Sequence, residues 1–311
     1  MGKVILDMDT GIDDALAIAY ACAIPELELL GVTTTYGMAP VDQSVRNTLL
    51  VLELLKCDAP VYRGAEKPLV RSRVYSGTFH GNDGLGDVNR REPKRTAEEM
   101  HAVDFIIEQS RKHGSDLTLV TTAPLTNLAL AIQKAPDIVG KLGRVVTMGG
   151  AVAAPGNVTK FAEANIIIDP HAARVVFSSD LPITLVGLDV TRKTVLRQEA
   201  AEKWREKGTE SSVFFATFTE YYLQAYKKYH PYLQGCALHD PLAVGVAACP
   251  DLVGTVPMHI TVDLDEDALG RTVEDIHRES PASPNTQVCM GVDAERFVSD
   301  FLSRTDQAFS R

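Results

Sequence analysis

Residues 4–23 read VILDMDTGIDDALAIAYACA. VILDMD (4–9) is a short apolar run of strand type that ends in carboxylates. DDALAIAYACA (13–23) is apolar almost all round, the mark of a helix buried on every side. Gly11 supplies the turn between them. A strand that passes through a glycine turn into a buried helix starts a βα unit, and the same alternation continues outward. Strands are expected at 27–36, 60–64, 117–122, 144–148 and 182–190, with helices at 41–55, 97–113, 124–135 and 171–179. This order predicts an α/β fold of Rossmann-like type, a mostly parallel central sheet with helices on both faces. The last third differs, with two charged helices within 198–229 and a third opening at HDPLAVGVAAC (239–249). Strand-like runs then fall within 253–292, before a terminal helix from 293. No linker composition and no internal repeat interrupts the chain, so residues 1–311 read as one large domain. The polar stretch 65–95 is the longest segment without periodicity, the profile of a functional loop.

The 311 residues carry 31 Lys plus Arg against 41 Asp plus Glu, a formal charge of −10. Hydrophobic residues make up 45% and charged residues 23%, which excludes intrinsic disorder and provides for a sizeable core. An acidic balance also argues against nucleic acid as a partner, because neutralising phosphates needs surplus Lys and Arg. No stretch approaches the roughly 20 uninterrupted apolar residues of a membrane span, and the N-terminus lacks the apolar core and cleavage site of a signal peptide. Cys22, Cys57, Cys236, Cys249 and Cys289 are an odd number with no C-x-x-C pair. They read as reduced core thiols of a cytoplasmic protein.

Asp7, Asp9, Asp13 and Asp14 crowd the end of the first strand, which is where ligands gather in open parallel sheets. An Asp at a helix N-terminus is ordinarily a cap, which accounts for one carboxylate. Four within eight residues repel one another when buried, so either a pKa rises or a cation sits among them. The all-oxygen character points to a hard ion such as calcium or magnesium. Residues 7–13 match the opening of an EF-hand, but the twelfth position is Ile18 where Glu is required. A phosphate-cradling loop would need Gly-Lys-Ser/Thr before the helix, which is absent. A phosphatase of the haloacid-dehalogenase type, with D-x-D at a strand end, is the serious rival.

Distant segments carry further polar residues. LHDP (238–241) sets His239 and Asp240 before an apolar helix, which taken alone reads as a histidine near a helix start and an aspartate cap. MGGA (148–151) leads into PGNVTKFAEANIIIDP (155–170), where Glu163 and Asn165 would share a face if locally extended, a hydrogen-bonding edge suited to hydroxyls. HGNDGLG (80–86) is a Gly-rich loop with a histidine.

Together these segments make the chain resemble the inosine–uridine-preferring nucleoside hydrolase family. LDMDTGIDDALAI matches the family's D-x-D-[P/T]-G-x-D-D-A block. TTAPLTNLA, VTMGGA, GNVTKFAEANIIIDP, VGLDVT and HDPLAV follow in family order, HGNDGLG matches its mobile loop, and TVEDIHRESPASPNTQV matches its C-terminal region. The resemblance implies a calcium-dependent enzyme that splits ribonucleosides into ribose and free base, and a homodimer or homotetramer. It implies that Asp9 binds calcium and is the base on the attacking water, and that Asp14, Asp240 and the backbone carbonyl of Thr122 complete the protein ligands. It gives Asp13, Asn157, Glu163 and Asn165 to the ribose hydroxyls and packs Met148 near the sugar. Asp7 becomes an orienting residue behind the site. His239 is implied to assist the leaving base, and His80 to close over it.

One departure is plain. Where the family commonly has T-x-x-G-N, this chain reads Thr34-Thr35-Tyr36-Gly37-Met38, and the Met38 side chain cannot donate a hydrogen bond to a sugar. The purine-specific branch stacks its base between tryptophans and lacks the leaving-group histidine. Here the single Trp204 lies in EKWREK, which reads as helix surface, and His239 is present. A pyrimidine-preferring or broad enzyme is therefore expected. Tyr222, Tyr226 and Tyr229 have the spacing of ordinary packing residues on a helix face, with the base site as the alternative. Besides the hydrolase, two readings stay open: a divalent-metal phosphatase, and a non-catalytic binder of ribose or nucleosides.

Overall fold

The alternating pattern closes into a sheet whose strands run in one direction. The computed structural model describes residues 2–75, 77–88, 91–275 and 284–310. Ser76 and residues 276–283 of the C-terminal family segment lie outside the described residues. The first half contains β1 (Gly2–Met8), α1 (Ile12–Ala23), β2 (Leu27–Thr34), α2 (Val41–Leu54), β3 (Val61–Arg63), α3 (Ala102–His113), β4 (Leu117–Thr121), α4 (Thr126–Lys134) and β5 (Arg144–Met148). Then follow α5 (Ala164–Ile168), α6 (Pro170–Phe177), β6 (Ile183–Val186), α7 (Leu188–Thr191), β7 (Val195–Leu196), α8 (Gln198–Lys207), α9 (Glu210–Tyr229), β8 (Cys236–Ala237) and α10 (His239–Ala248). The chain ends with β9 (Val253–Met258), β10 (Ile260–Val262), β11 (Thr272–Glu274), β12 (Thr286–Val292) and α11 (Ala294–Ala308).

Eight strands form the central sheet in the order β3-β2-β1-β4-β5-β6-β12-β9. Every pair is parallel except β12 with β9, which lies antiparallel at the edge. β1 sits inside the sheet between β2 and β4, so Val4, Ile5 and Leu6 are fully buried on both faces. Helix α1 is buried from Ile12 to Ala21, as its unbroken apolar composition requires, and packs against α10 and α11. Two large apolar clusters flank the sheet, one around Leu6, Leu16 and Phe215, the other around Ile5, Leu119 and Phe177.

Several expectations shift at their edges, each for a local reason. The helix expected over 97–113 begins at Ala102, because Glu98 instead gives its N–H to Val61 O and bridges the β3 edge, while the His101 ring accepts the Val103 N–H as a cap. The strand expected over 182–190 stops at Val186, and α7 follows. There Leu188 N–H bonds Gly150 O, and the Asp189 carboxylate accepts the N–H groups of Val152, Ala153 and Ala154. Trp204 is a correction: it is 2% exposed, not on a helix surface, with its ring edge-on to Phe309 at 5.1 Å. Cys236 and Cys289 are core thiols as expected, but Cys22, Cys57 and Cys249 are only partly buried, and none of the five is in a disulfide. Among the described residues no helix is long and apolar enough to cross a membrane.

Candidate active site

In the order β3-β2-β1-β4-β5-β6 the chain turns back between β1 and β4, and such a reversal opens a crevice at the carboxyl ends of those strands. Asp9 follows β1, Asp13 and Asp14 lie in the first turn of α1, Thr122 follows β4 and Met148 ends β5. His239 and Asp240 open α10, Glu163 and Asn165 stand at the start of α5, and His80 arrives from the 65–95 loop. All of them line one cavity of about 270 Å³, together with Met38, Asn157, Tyr222 and Tyr226. Asp7 lies fully buried behind it: Oδ1 accepts from Thr33 and Asn127, and Oδ2 meets no partner among the described residues.

The carboxylates define the electrostatics. Asp13, Asp14 and Asp240 each offer one oxygen, and these oxygens lie within 4.8 Å of one another. Asp9 stands beside them with Oδ2 accepting the Met38 N–H at 2.5 Å. Asp14 is fixed at both oxygens, by the Thr122 hydroxyl at 2.7 Å and the Gly11 N–H at 2.8 Å. Burial, and then the repulsion of the Asp13 charge, push Asp14 up to about 7. Burial also raises Asp13 to about 6, and burial with the neighbouring aspartates raises Asp9 and Asp240 well above the usual carboxylate range. Such a set, all oxygen and short of positive charge, fits a hard divalent cation. The Thr122 carbonyl accepts Asn165 Nδ2 at 2.9 Å, and a carbonyl has a second lone pair to offer.

The two histidines are held differently. His80 Nδ1 accepts the Ile12 N–H at 3.1 Å, so its proton sits on Nε2, and burial lowers it to about 4. A Cβ on Gly11 would come within 2.6 Å of that Nδ1, so only glycine allows the ring to rest on the start of α1. His239 meets a hydroxyl at each nitrogen, Tyr226 at 2.8 Å on Nε2 and Thr191 at 2.7 Å on Nδ1. Burial, reinforced by the Arg192 charge, pushes His239 down to about 3.

Glu163 and Asn165 do not form an extended edge. Glu163 caps α5, its carboxylate accepting the N–H groups of Asn165, Ile166 and Gly150, because a helix start leaves donors that an acidic side chain can satisfy. Tyr222 and Tyr226 line the cavity in addition to packing, whereas Tyr229 is 43% exposed and rests on Phe79, ring centroids 5.2 Å apart. Sequence reasoning missed Arg73, Phe79, Thr191, Arg192 and His230. Arg192 directly follows the VGLDVT segment, which was a usable signal. Arg73 lies in a stretch without periodicity, and no local pattern marks it.

A family model described as inosine-uridine preferring nucleoside hydrolase matches residues 4–299. The inosine-uridine preferring nucleoside hydrolase of Crithidia fasciculata is 38% identical over 309 residues, covering 97% of this chain and 98% of the relative. The pyrimidine-specific ribonucleoside hydrolase RihA of Escherichia coli O8 is 36% identical over 303 residues, 97% of each. The solved structure of a purine-preferring ribonucleoside hydrolase from Gardnerella vaginalis superposes with a TM-score of 0.96 at 43% identity, covering 99% of each chain. The base preferences in these names differ from one another. Similarity of this extent sets aside both the phosphatase and the non-catalytic binder. The chain belongs to the inosine-uridine preferring nucleoside hydrolase family and is an enzyme that hydrolyses the N-glycosidic bond of ribonucleosides.

Proposed function

We propose that Asp9 is the base on the attacking water, that His239 serves the departing base, and that the metal is calcium. The observation that carries this reading is one cavity in which four buried carboxylates meet a histidine bonded to hydroxyls at both nitrogens. Asp9, Asp14, Asp240 and the Thr122 carbonyl would hold the ion, and Asp13, within the same oxygen group, is offered to a ribose hydroxyl. When bound, a divalent cation supplies charge that clamps hydroxyls and lowers the pKa of a water.

Asp9 takes the water's proton on Oδ1, since the Met38 N–H holds Oδ2. The bond that breaks joins the sugar C1′ to a base nitrogen. Its electron pair leaves with the base and the sugar becomes cationic, as in glycoside hydrolysis. The buried carboxylates stabilise that developing charge. The departing nitrogen needs a proton or a donor. His239, neutral at pH 7 and held by the Tyr226 and Thr191 hydroxyls, serves the departing nitrogen as a hydrogen-bond donor, and the proton the base gains is balanced by the one Asp9 takes from the water. Asn157, Glu163 and Asn165 bind ribose hydroxyls, Met148 packs on the sugar, and His80 closes over the base. Phe79, Tyr222 and Tyr226 offer apolar ring faces and no base-specific fork, which supports a broad or pyrimidine-preferring range. Five cysteines with no disulfide among them suit a reducing compartment, the cytoplasm.

The test is ribose release from uridine, cytidine and inosine by the wild-type enzyme and by Asp9→Ala. Removing a general base should cost about 10²- to 10⁴-fold in kcat. An Asp9→Ala enzyme that keeps wild-type turnover overturns the assignment of Asp9.

A further inference from the structure

We propose that Arg73 binds a secondary hydroxyl of the ribose beside Asp9 and so positions the sugar for attack. The inference rests on the reading above that the cavity takes a ribonucleoside. It begins from a mismatch of donors and acceptors. A sugar hydroxyl donates one hydrogen bond and also accepts, whereas an ionised carboxylate only accepts. The wall around Asp9 offers carboxylates and the Met38 thioether, and the Met38 N–H is already spent on Asp9 Oδ2. That wall therefore needs a donor.

Two strong donors lining the cavity are taken. Asn165 Nδ2 serves the carbonyls of Thr122 and Met148, and the two Nη atoms of Arg192 serve the carbonyls of Pro155 and Gly156. Arg73 differs. Its Nε donates to Gly37 O at 2.9 Å, which fixes the guanidinium next to the Gly37-Met38 turn, and its Cζ lies 5.4 Å from the Tyr75 ring centroid. Among the described residues its Nη atoms have no acceptor and no carboxylate lies within 4 Å of it. The side chain is half-buried and lines the cavity. A desolvated guanidinium with two idle donors is costly unless an oxygen meets them, and its rigid fork suits sugar oxygens. Holding the Gly37 carbonyl needs Nε alone, so the Nη edge is left for a ligand.

The test compares wild type with Arg73→Ala, using nitrophenyl riboside as the reporter substrate. The inhibition constants of ribose and its 2-deoxy, 3-deoxy and 5-deoxy analogues are measured against it, so no analogue has to turn over. A hydrogen bond from a charged donor corresponds to about 10- to 100-fold in affinity. Ribose should weaken by that factor in Arg73→Ala, and the factor should fall to about 2-fold or less for the 2-deoxy or the 3-deoxy analogue, persisting for the 5-deoxy one. The same factor for every analogue, no weakening at all, or a collapse only for the 5-deoxy analogue overturns the proposal. Arg73→Met, which keeps much of the packing and removes every side-chain donor, replaces the alanine variant if that variant does not fold. A wild-type enzyme that cleaves no riboside would overturn the underlying reading, an outcome distinct from a uniform factor in an active enzyme.

Discussion

Gly37 shows how closely Asp9 is held. A Cβ there would come within 1.9 Å of Asp9 Oδ2, so a side chain at 37 and the observed carboxylate position exclude each other. Gly37→Ala should therefore displace Asp9 and the Met38 N–H that supports it. A displacement of about 1 Å at a reacting group costs on the order of 10²-fold. Kinetics of the folded variant should show the loss mainly in kcat. His239 makes a different prediction. His239→Ala should lower kcat for uridine or inosine by about 10²- to 10⁴-fold, while nitrophenyl riboside, whose leaving group needs no proton, should lose far less. Equal losses on both substrates would remove His239 from the leaving-group role. At this scale the sequence was informative where chemistry clusters: Asp9, Asp13 and Asp14 were legible from residue type and spacing, whereas His239 and Asp240 were marked only through the family resemblance. Arg73 was not, because one arginine in an aperiodic loop resembles any surface arginine until its neighbours are known.

Short elements at the rim depend on side chains that satisfy loose backbone donors. Asp189, at the start of α7, gathers the N–H groups of Val152, Ala153 and Ala154 and so ties the loop after β5 to the loop after β6. Asp189→Ala leaves those three donors unpaired and should lower stability by about 2–4 kcal/mol in urea denaturation. It should also loosen the nearby Asn157 segment, read as a higher KM for the riboside. The mismatch between the expected strand 182–190 and the observed strand Ile183–Val186 has the same origin. The apolar run continues past Val186, but Asp189 and the Leu188 N–H find partners across the rim that a longer strand would forgo. The Glu163 cap follows this rule too. Two polar residues two apart look like an extended edge in sequence, yet the three N–H groups that Glu163 satisfies make the helix start the better solution. Periodicity reports which face is buried, and it says little about which loose donors a side chain will find.

For the whole molecule, the consequence is a charge imbalance at the centre of the sheet. Four buried aspartates with raised pKa values, in a chain of net charge −10, oppose the folded state unless a cation joins them. Calcium added to chelated protein should therefore raise Tm, since a ligand that binds only the folded state stabilises it by about 2.7 kcal/mol at 100 times its Kd. Asp14→Ala should abolish most of that shift in a thermal melt. A Tm indifferent to divalent cations would count against the metal site.

The sequence by itself determined the α/β class, the buried first helix, the acidic block and the family to which the chain belongs, because periods of 2 and 3.6 residues and a dense local motif are written along the chain. It did not determine the strand order. That order, with β1 beside β4 and α10 packed on α1, brings Thr122, His239 and Asp240 to the aspartates that follow β1. It also did not show that Trp204 is buried, that Tyr222 and Tyr226 line the cavity, or that Arg73 stands beside Met38. Those facts depend on which distant segments share a wall, and only long-range packing decides that.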